Sequence, residues 1–246
     1  MTSEQLRGYL TFYRDLGVQE IYRRQPVPAQ VEAAKTAQSR SATMEIPKLI
    51  PLAPADDTLA KIRADIGDNC RRCRLCEQRN KIVFGSGNEQ SKLVFVGEGP
   101  GADEDAQGLP FIGRAGQLLT QMIDNTASKE GIPIKREDVF IANVVKCRPP
   151  ENRAPQPDEM EICGEFLFRQ LLAIQPKAIC ALGSTAAKAL LATKDGVTKL
   201  RGNWHKWRDI PVIVTYHPSY LLRPYNAHAK REAWDDLKKV LHFVYD

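Results

Sequence analysis

Four short runs of the chain are apolar almost from end to end: LVFVG at 93–97, VFIANVV at 139–145, AICALG at 178–183 and VIVTYH at 212–217. A strand with one wet face alternates polar and apolar residues, whereas a strand without that alternation must be covered on both faces. Helical patterns fill the intervals, over 58–66, 114–126, 157–174, 185–192 and 228–243. Strands alternating with helices in this way predict a three-layer α/β/α sandwich around a central, mostly parallel four-stranded sheet. Ligands of such sheets sit beyond the carboxyl ends of the strands. The stretches to inspect are therefore GEGPGADED, NVVKCRPPENR, LGSTA and YHPSYLLR.

The sandwich occupies residues 57–246. Ahead of it, residues 1–24 carry Leu6, Tyr9, Leu10, Tyr13, Leu16 and Ile21 mostly at three- and four-residue steps, a short helix pattern. The pattern then dissolves into Pro26, Pro28, an Ala/Ser/Thr stretch, Pro47, Pro51 and Pro54, which is linker composition. Residues 1–56 thus read as a helix-plus-linker extension. No run approaches the roughly 18 apolar residues of a membrane span, and MTSEQLRGYLTFYRDLG has neither an apolar signal core nor a small-residue cleavage site. The expectation is a soluble, cytoplasmic protein. Thirty-five Lys and Arg against 30 Asp and Glu leave a net charge of +5, a weak pointer to nucleic acid unless the charge clusters.

Six cysteines say more. Cys70, Cys73 and Cys76 lie in NCRRCRLCE, Cys147 in VKCRPP, Cys163 in EICGEF and Cys180 inside a strand run. In a reducing compartment such spacings argue for metal rather than disulfides. Two intervening residues let both thiolates of a C-x-x-C pair converge on one ion or cluster. Three in a row resemble part of a ferredoxin-type ligand run, and a tetrahedral zinc site is the rival. Spacing alone does not choose four ligands among five candidates. Cys180 reads as a small hydrophobe in its strand.

KLVFVGEGPGA contains Gly97-x-Gly99-x-x-Ala102 after a strand, nominally a dinucleotide fingerprint. Pro100 inside the turn, and Asp103, Glu104 and Asp105 just beyond it, argue against that reading. They put negative charge where a pyrophosphate would dock, and the next helix pattern starts only near Arg114. A loop of glycines and carboxylates suits close approach to a neutral ligand, with an acid at hand for proton or cation chemistry.

GEGPGADEDAQGLPFIGRAGQLL, NVVKCRPPENRAPQPDE, the Cys70/Cys73 pair and HPSYLLR, in that order, resemble the family 4, iron–sulfur-containing uracil-DNA glycosylases over about residues 65–245. The resemblance implies a [4Fe–4S] cluster on Cys70, Cys73, Cys147 and Cys163, with Cys76 a spare thiol and the cluster's role structural. It implies uracil-containing DNA, single- or double-stranded, as substrate, and hence a nucleoid-associated protein. A base must leave the stack to be reached. Gly97, Glu98 and Gly99 would line the flipped uracil and Phe111 would stack on it. Asn143 would read its edge, one amide offering a donor to O4 and an acceptor to N3–H. His217 would face O2, where negative charge develops as the glycosidic bond breaks.

The same resemblance makes Leu221 or Leu222 the wedge that fills the gap in the stack, with Arg223 set for phosphate. The best-known branch of the superfamily has an aspartate where this chain has Gly99. Glu98 and Glu104 are the carboxylates left to assist the water, and Glu104 would lie near the uracil C5 edge. The implied activity is monofunctional: base release to an abasic site, with no lysine in these motifs placed for lyase chemistry and no KRRIH-type loop for covalent trapping. A non-catalytic iron–sulfur nucleic-acid-binding protein on the same fold is the alternative. An iron–sulfur electron carrier is disfavoured by ligands dispersed along the chain. A monomer is the default expectation.

Overall fold

The computed structural model describes residues 54, 56–223 and 226–246. The N-terminal helix pattern and most of the 1–56 extension lie outside the described residues. Helix α1 (Leu59–Ile66) begins at Thr58, whose hydroxyl accepts from the Lys61 amide at 3.2 Å. Strands β1 (Ser86–Gly87) and β2 (Leu93–Gly97), short helix α2 (Ala102–Gln107) and long helix α3 (Arg114–Lys129) follow. Strand β3 (Phe140–Asn143) leads to α4 (Pro157–Ile174), β4 (Ala178–Leu182), α5 (Ser184–Leu191) and α6 (Val197–Leu200). Strands β5 (Trp204–Trp207) and β6 (Ile210–Thr215), then α7 (Pro218–Leu221) and α8 (Ala227–Tyr245), complete the chain.

The sheet order is β1-β3-β2-β4-β6-β5. The four inner strands are the four apolar runs, and they pair in parallel, with Gly97 opposite Asn143 and Leu182 opposite Thr215. Antiparallel edge strands β1 and β5 extend the sheet beyond the four strands expected. They escape sequence reading because β1 has two residues and β5 has a mostly wet face.

Alternation within each buried strand divides the core into two layers. Val94, Val96, Ala142, Ile179, Ala181, Val212 and Val214 pack with α1, α4 and α5 through Ile62, Leu167, Leu171 and Ala187. Leu93, Phe95, Ile141, Cys180, Leu182 and Ile213 face the other way, against Leu119 and Ile123 of α3 and Leu237, Val240 and Leu241 of α8. Cys180, fully buried, is the core hydrophobe its strand context suggests.

One local expectation is corrected. The stretch after the glycine loop is helix α2, not a loop running to Arg114. Asp103, Glu104 and Asp105 form its first turn, where the exposed N–H groups and the helix dipole favour carboxylates. Buried Asp105 also accepts from Asn80 N and Nδ2, at 2.9 and 2.6 Å, tying α2 to the segment after the cysteine motif. Among the described residues, no helix is long and apolar enough to cross a membrane.

Candidate active site

The carboxyl ends of β2, β3 and β6 open on one cleft of about 740 Å³, mouth included. Glu98, Gly99, Glu104, Phe111, Asn143, Pro149, Asn152, Arg153, His217 and Ser219 are among its lining residues. Asn143 is the last residue of β3 and is 1% exposed. Its Oδ1 is sealed from water and has no hydrogen-bond partner among the described residues. An unpaired buried acceptor costs about 1–3 kcal/mol, so this atom is held for something the cleft receives. Gly97, opposite it on β2, makes the arrangement possible. A Cβ there would lie 2.4 Å from Asn143 Oδ1 and 2.5 Å from Phe111 Cζ, so only glycine lets amide and ring meet over the strand.

Phe111 is 6% exposed and holds a left-handed backbone, φ 53°. A non-glycine residue there stores about 1–3 kcal/mol of strain and persists only where its surroundings dictate it. Those surroundings are explicit. Glu104 Oε1 accepts from the amides of Ile112 and Gly113, both at 2.9 Å. Arg136 donates to the Pro110 carbonyl at 2.8 Å and to Thr120 Oγ1 at 3.2 Å. A Cβ on Gly116 would come within 1.9 Å of the Phe111 backbone, so α3 presses directly on the loop.

His217 caps α7 and is half-buried, its ring centroid 5.6 Å from that of Phe111. Its Nδ1 accepts from the Ser219 amide at 3.2 Å and lies 2.7 Å from Ser219 Oγ. A backbone N–H only donates, so Nδ1 is assigned as the bare nitrogen, leaving the proton of the neutral ring on Nε2. Burial pulls the ring down to about 4, against a weaker upward pull from Glu104. The imidazole is therefore neutral at pH 7 and keeps an Nε2–H to donate.

Glu98 also lines the cleft, and the hydroxyl of Thr185 on α5 donates to its carboxylate. Thr185 went unremarked in the sequence because nothing in the spacing links it to Glu98. Leu221 and Leu222, taken together in the sequence, part company in the structure. Leu221 is 1% exposed and packs on Ala229 and Ala233, whereas Leu222 is 37% exposed. Leu221 is thus a core residue, and its carbon chain is not free to enter DNA. Arg223 is exposed and lies over the ring of Tyr220.

Beyond β3, on the α4 side, Cys70, Cys73, Cys147 and Cys163 line a second, tighter cavity of about 320 Å³, mouth included, together with Arg72, Arg79 and Lys146. Cys76 is not among its lining residues. The Lys146 amide donates to Cys163 Sγ at 3.2 Å, and Arg79 donates to Cys147 Sγ at 3.6 Å. Burial pushes the Cys147 thiol up to about 12 and the Cys163 thiol up to about 11. Thiols so shifted stay protonated unless a metal supplies positive charge at the sulfurs. Among the described residues, no three His, Cys, Asp or Glu side chains converge closely enough for a single metal ion.

Comparison with known proteins identifies the family. A family model described as the uracil DNA glycosylase superfamily matches residues 84–238. The chain is 44% identical over 190 residues to a type-4 uracil-DNA glycosylase of Thermotoga maritima, covering 76% of this chain and 96% of that protein. It is 42% identical over 180 residues to a type-4 uracil-DNA glycosylase of Archaeoglobus fulgidus, covering 70% of this chain and 86% of the other. A type-5 uracil-DNA glycosylase of Pyrobaculum aerophilum is 30% identical over 200 residues, 70% of this chain and 86% of that protein.

Proposed function

This chain belongs to the type-4 branch of the uracil-DNA glycosylase superfamily, and we propose that its cleft takes uracil flipped out of DNA and hydrolyses the bond to deoxyribose. The orphaned Oδ1 of Asn143 carries the reading. Uracil presents N3–H to that acceptor and O4 to the amide nitrogen. Cytosine presents the opposite polarity and would leave both groups unpaired, which a buried site penalises heavily. Phe111 supplies the face on which the base stacks, worth about 1–3 kcal/mol per base.

Bond cleavage sends the electron pair of the C1′–N1 bond into the uracil ring, where O2 carries much of the charge. The Nε2–H of His217, preset by Ser219, donates to O2 as that charge grows. The sugar becomes oxocarbenium-like and water adds at C1′. Glu98 and Glu104 border the reacting centre as carboxylates that steady the positive sugar and orient or deprotonate the water. Neither is a strong, dedicated base in this reading, so loss of either slows the reaction without abolishing it. The products are free uracil and an abasic site, the opening step of base excision repair. Leu222 is the wedge, with Arg223 against phosphate, and the protein acts as a monomer.

Cys70, Cys73, Cys147 and Cys163 are the ligands of a [4Fe–4S] cluster in this reading. Four thiols on one cavity, two of them from a C-x-x-C pair, are the all-cysteine donor set that such a cluster takes. Arg72 and Arg79 border the same cavity and offset the thiolate charge. When bound, the cluster supplies cross-links among α1's trailing segment, the β3 exit and α4, not redox chemistry in the reaction.

An oligonucleotide carrying one uracil, incubated with the protein in EDTA and then treated with alkali, tests the proposal. Cleavage of the uracil strand only after alkali, with a matched thymine or cytosine strand intact, is the expected outcome. A brown protein that binds this DNA and releases no base would overturn it in favour of the non-catalytic binding protein.

A further inference from the structure

One side chain joins the two cavities. Lys146 follows the end of β3, immediately before Cys147, and is 1% exposed. Its ammonium donates to the carbonyl of Asn143 at 2.8 Å and to Gln170 Oε1 on α4 at 2.6 Å. Gln170 is itself fixed, its Nε2 donating to the Phe84 carbonyl at 3.0 Å. The backbone amide of the same lysine donates to Cys163 Sγ at 3.2 Å. Backbone and side chain of one residue therefore hold different sites.

An ammonium in this position is expensive. Removing a charge from water is costly, and the two acceptors of this ammonium, a backbone carbonyl and an amide oxygen, are both neutral. An apolar side chain of the same length would fill the space at lower cost. What it could not do is hold the Asn143 carbonyl. That carbonyl shares a residue with the reading amide, and fixing it fixes the backbone from which the amide projects over Gly97.

We propose that Lys146 is the positioning residue of the base reader: its ammonium, anchored on Gln170, locks the Asn143 backbone so that the amide meets the uracil edge. The proposal rests on Asn143 being that reader. It also divides the labour at Lys146, since side-chain replacement leaves the amide that donates to Cys163.

The test is a double-mutant cycle on the full chain with Lys146→Met, Asn143→Ala and their combination. Single-turnover uracil release, inhibition by free uracil and iron per chain are measured for each. Lys146→Met is expected to lose on the order of 10- to 100-fold in rate, the scale of a small misplacement of a reacting group. Its inhibition by free uracil should weaken and its iron content stay at the wild-type level. In the Asn143→Ala background the same substitution should cost little more, because the group it positions is gone. Equal fold-losses in both backgrounds, no loss at all, or iron loss that reconstitution does not reverse would each overturn the proposal. Should Lys146→Met fail to fold, Gln170→Leu enters the same cycle, and additivity there would overturn it equally. If Asn143→Ala matches wild type, the reading of the pocket fails and this proposal with it. A crippled Asn143→Ala with additive Lys146→Met defeats the positioning role alone.

Discussion

Near the end of β3, Asn143 borders the base cleft and Cys147 borders the thiol cavity, and the two spaces differ in what each lacks. The cleft is set without its ligand. Its histidine is neutral, its strained phenylalanine is held from three sides, and one buried acceptor waits unpaired. The thiol cavity is not self-sufficient. Burial pushes Cys147 and Cys163 toward the protonated form and cations border the same space, an imbalance that the proposed cluster, holding them as thiolates, would relieve. Substitutions in the cleft should therefore cost activity at little cost in stability, and substitutions of the cavity's cysteines should do the reverse, taking the fold first.

The largest effect belongs to the cavity. Cys147→Ala should give colourless protein with its cooperative melting transition lowered or lost, because it removes a proposed cluster ligand and leaves Arg79 facing no sulfur. Visible absorption, iron content and a thermal melt check this. Cys76→Ala, outside the cavity, should keep both colour and melting temperature.

The two leucines after the histidine motif sharpen the contrast. Leu221→Ala should cost about 2–5 kcal/mol of stability, as truncation of a buried α7 side chain packed against α8. Leu222→Ala, at 37% exposure, should stay within about 0.5 kcal/mol of wild type. It should slow uracil release from duplex more than from single-stranded DNA, where there is no stack to hold open. Denaturant melts and paired substrates separate the two.

These pairs also show how far sequence alone reaches. The four inner strands were legible because burial on both faces removes polar residues from them. Helix α2 was not, because six residues rich in acid and flanked by glycines carry no apolar stripe. Phe111, Asn143 and His217 stood out through motifs, and the structure brings all three to one cleft. Gln170, Arg136 and Thr185 did not, since each acts through a partner far away in the chain, and Lys146 did not because its anchor, Gln170, lies 24 residues on and no spacing records such a contact. Whether Leu221 or Leu222 faces solvent depended on a turn of backbone that the pattern LLR leaves open.

The smallest effect is a titration. A His217 ring near 4 in the folded protein, against 6.5 when unfolded, means the unfolded chain binds the extra proton between those values. Its contribution to stability is complete above about 6.5 and is lost as pH falls toward about 4. NMR of the imidazole nitrogens should show the Nε2–H tautomer unchanged down to pH 5, and an inflection near 6.5 would break the contrast between a preset cleft and a ligand-dependent cavity.

The most direct measurement is single-turnover uracil release by wild type, Asn143→Ala and His217→Ala, each matched for iron per chain. Loss of one aimed donor typically costs about 10²–10³ in the chemical step. A loss on that scale in both variants, with iron and melting temperature at wild-type levels, is the result expected of a cleft whose chemistry is separate from its scaffold. Rates within about twofold of wild type, or losses that track iron content instead of the substituted residue, would contradict it.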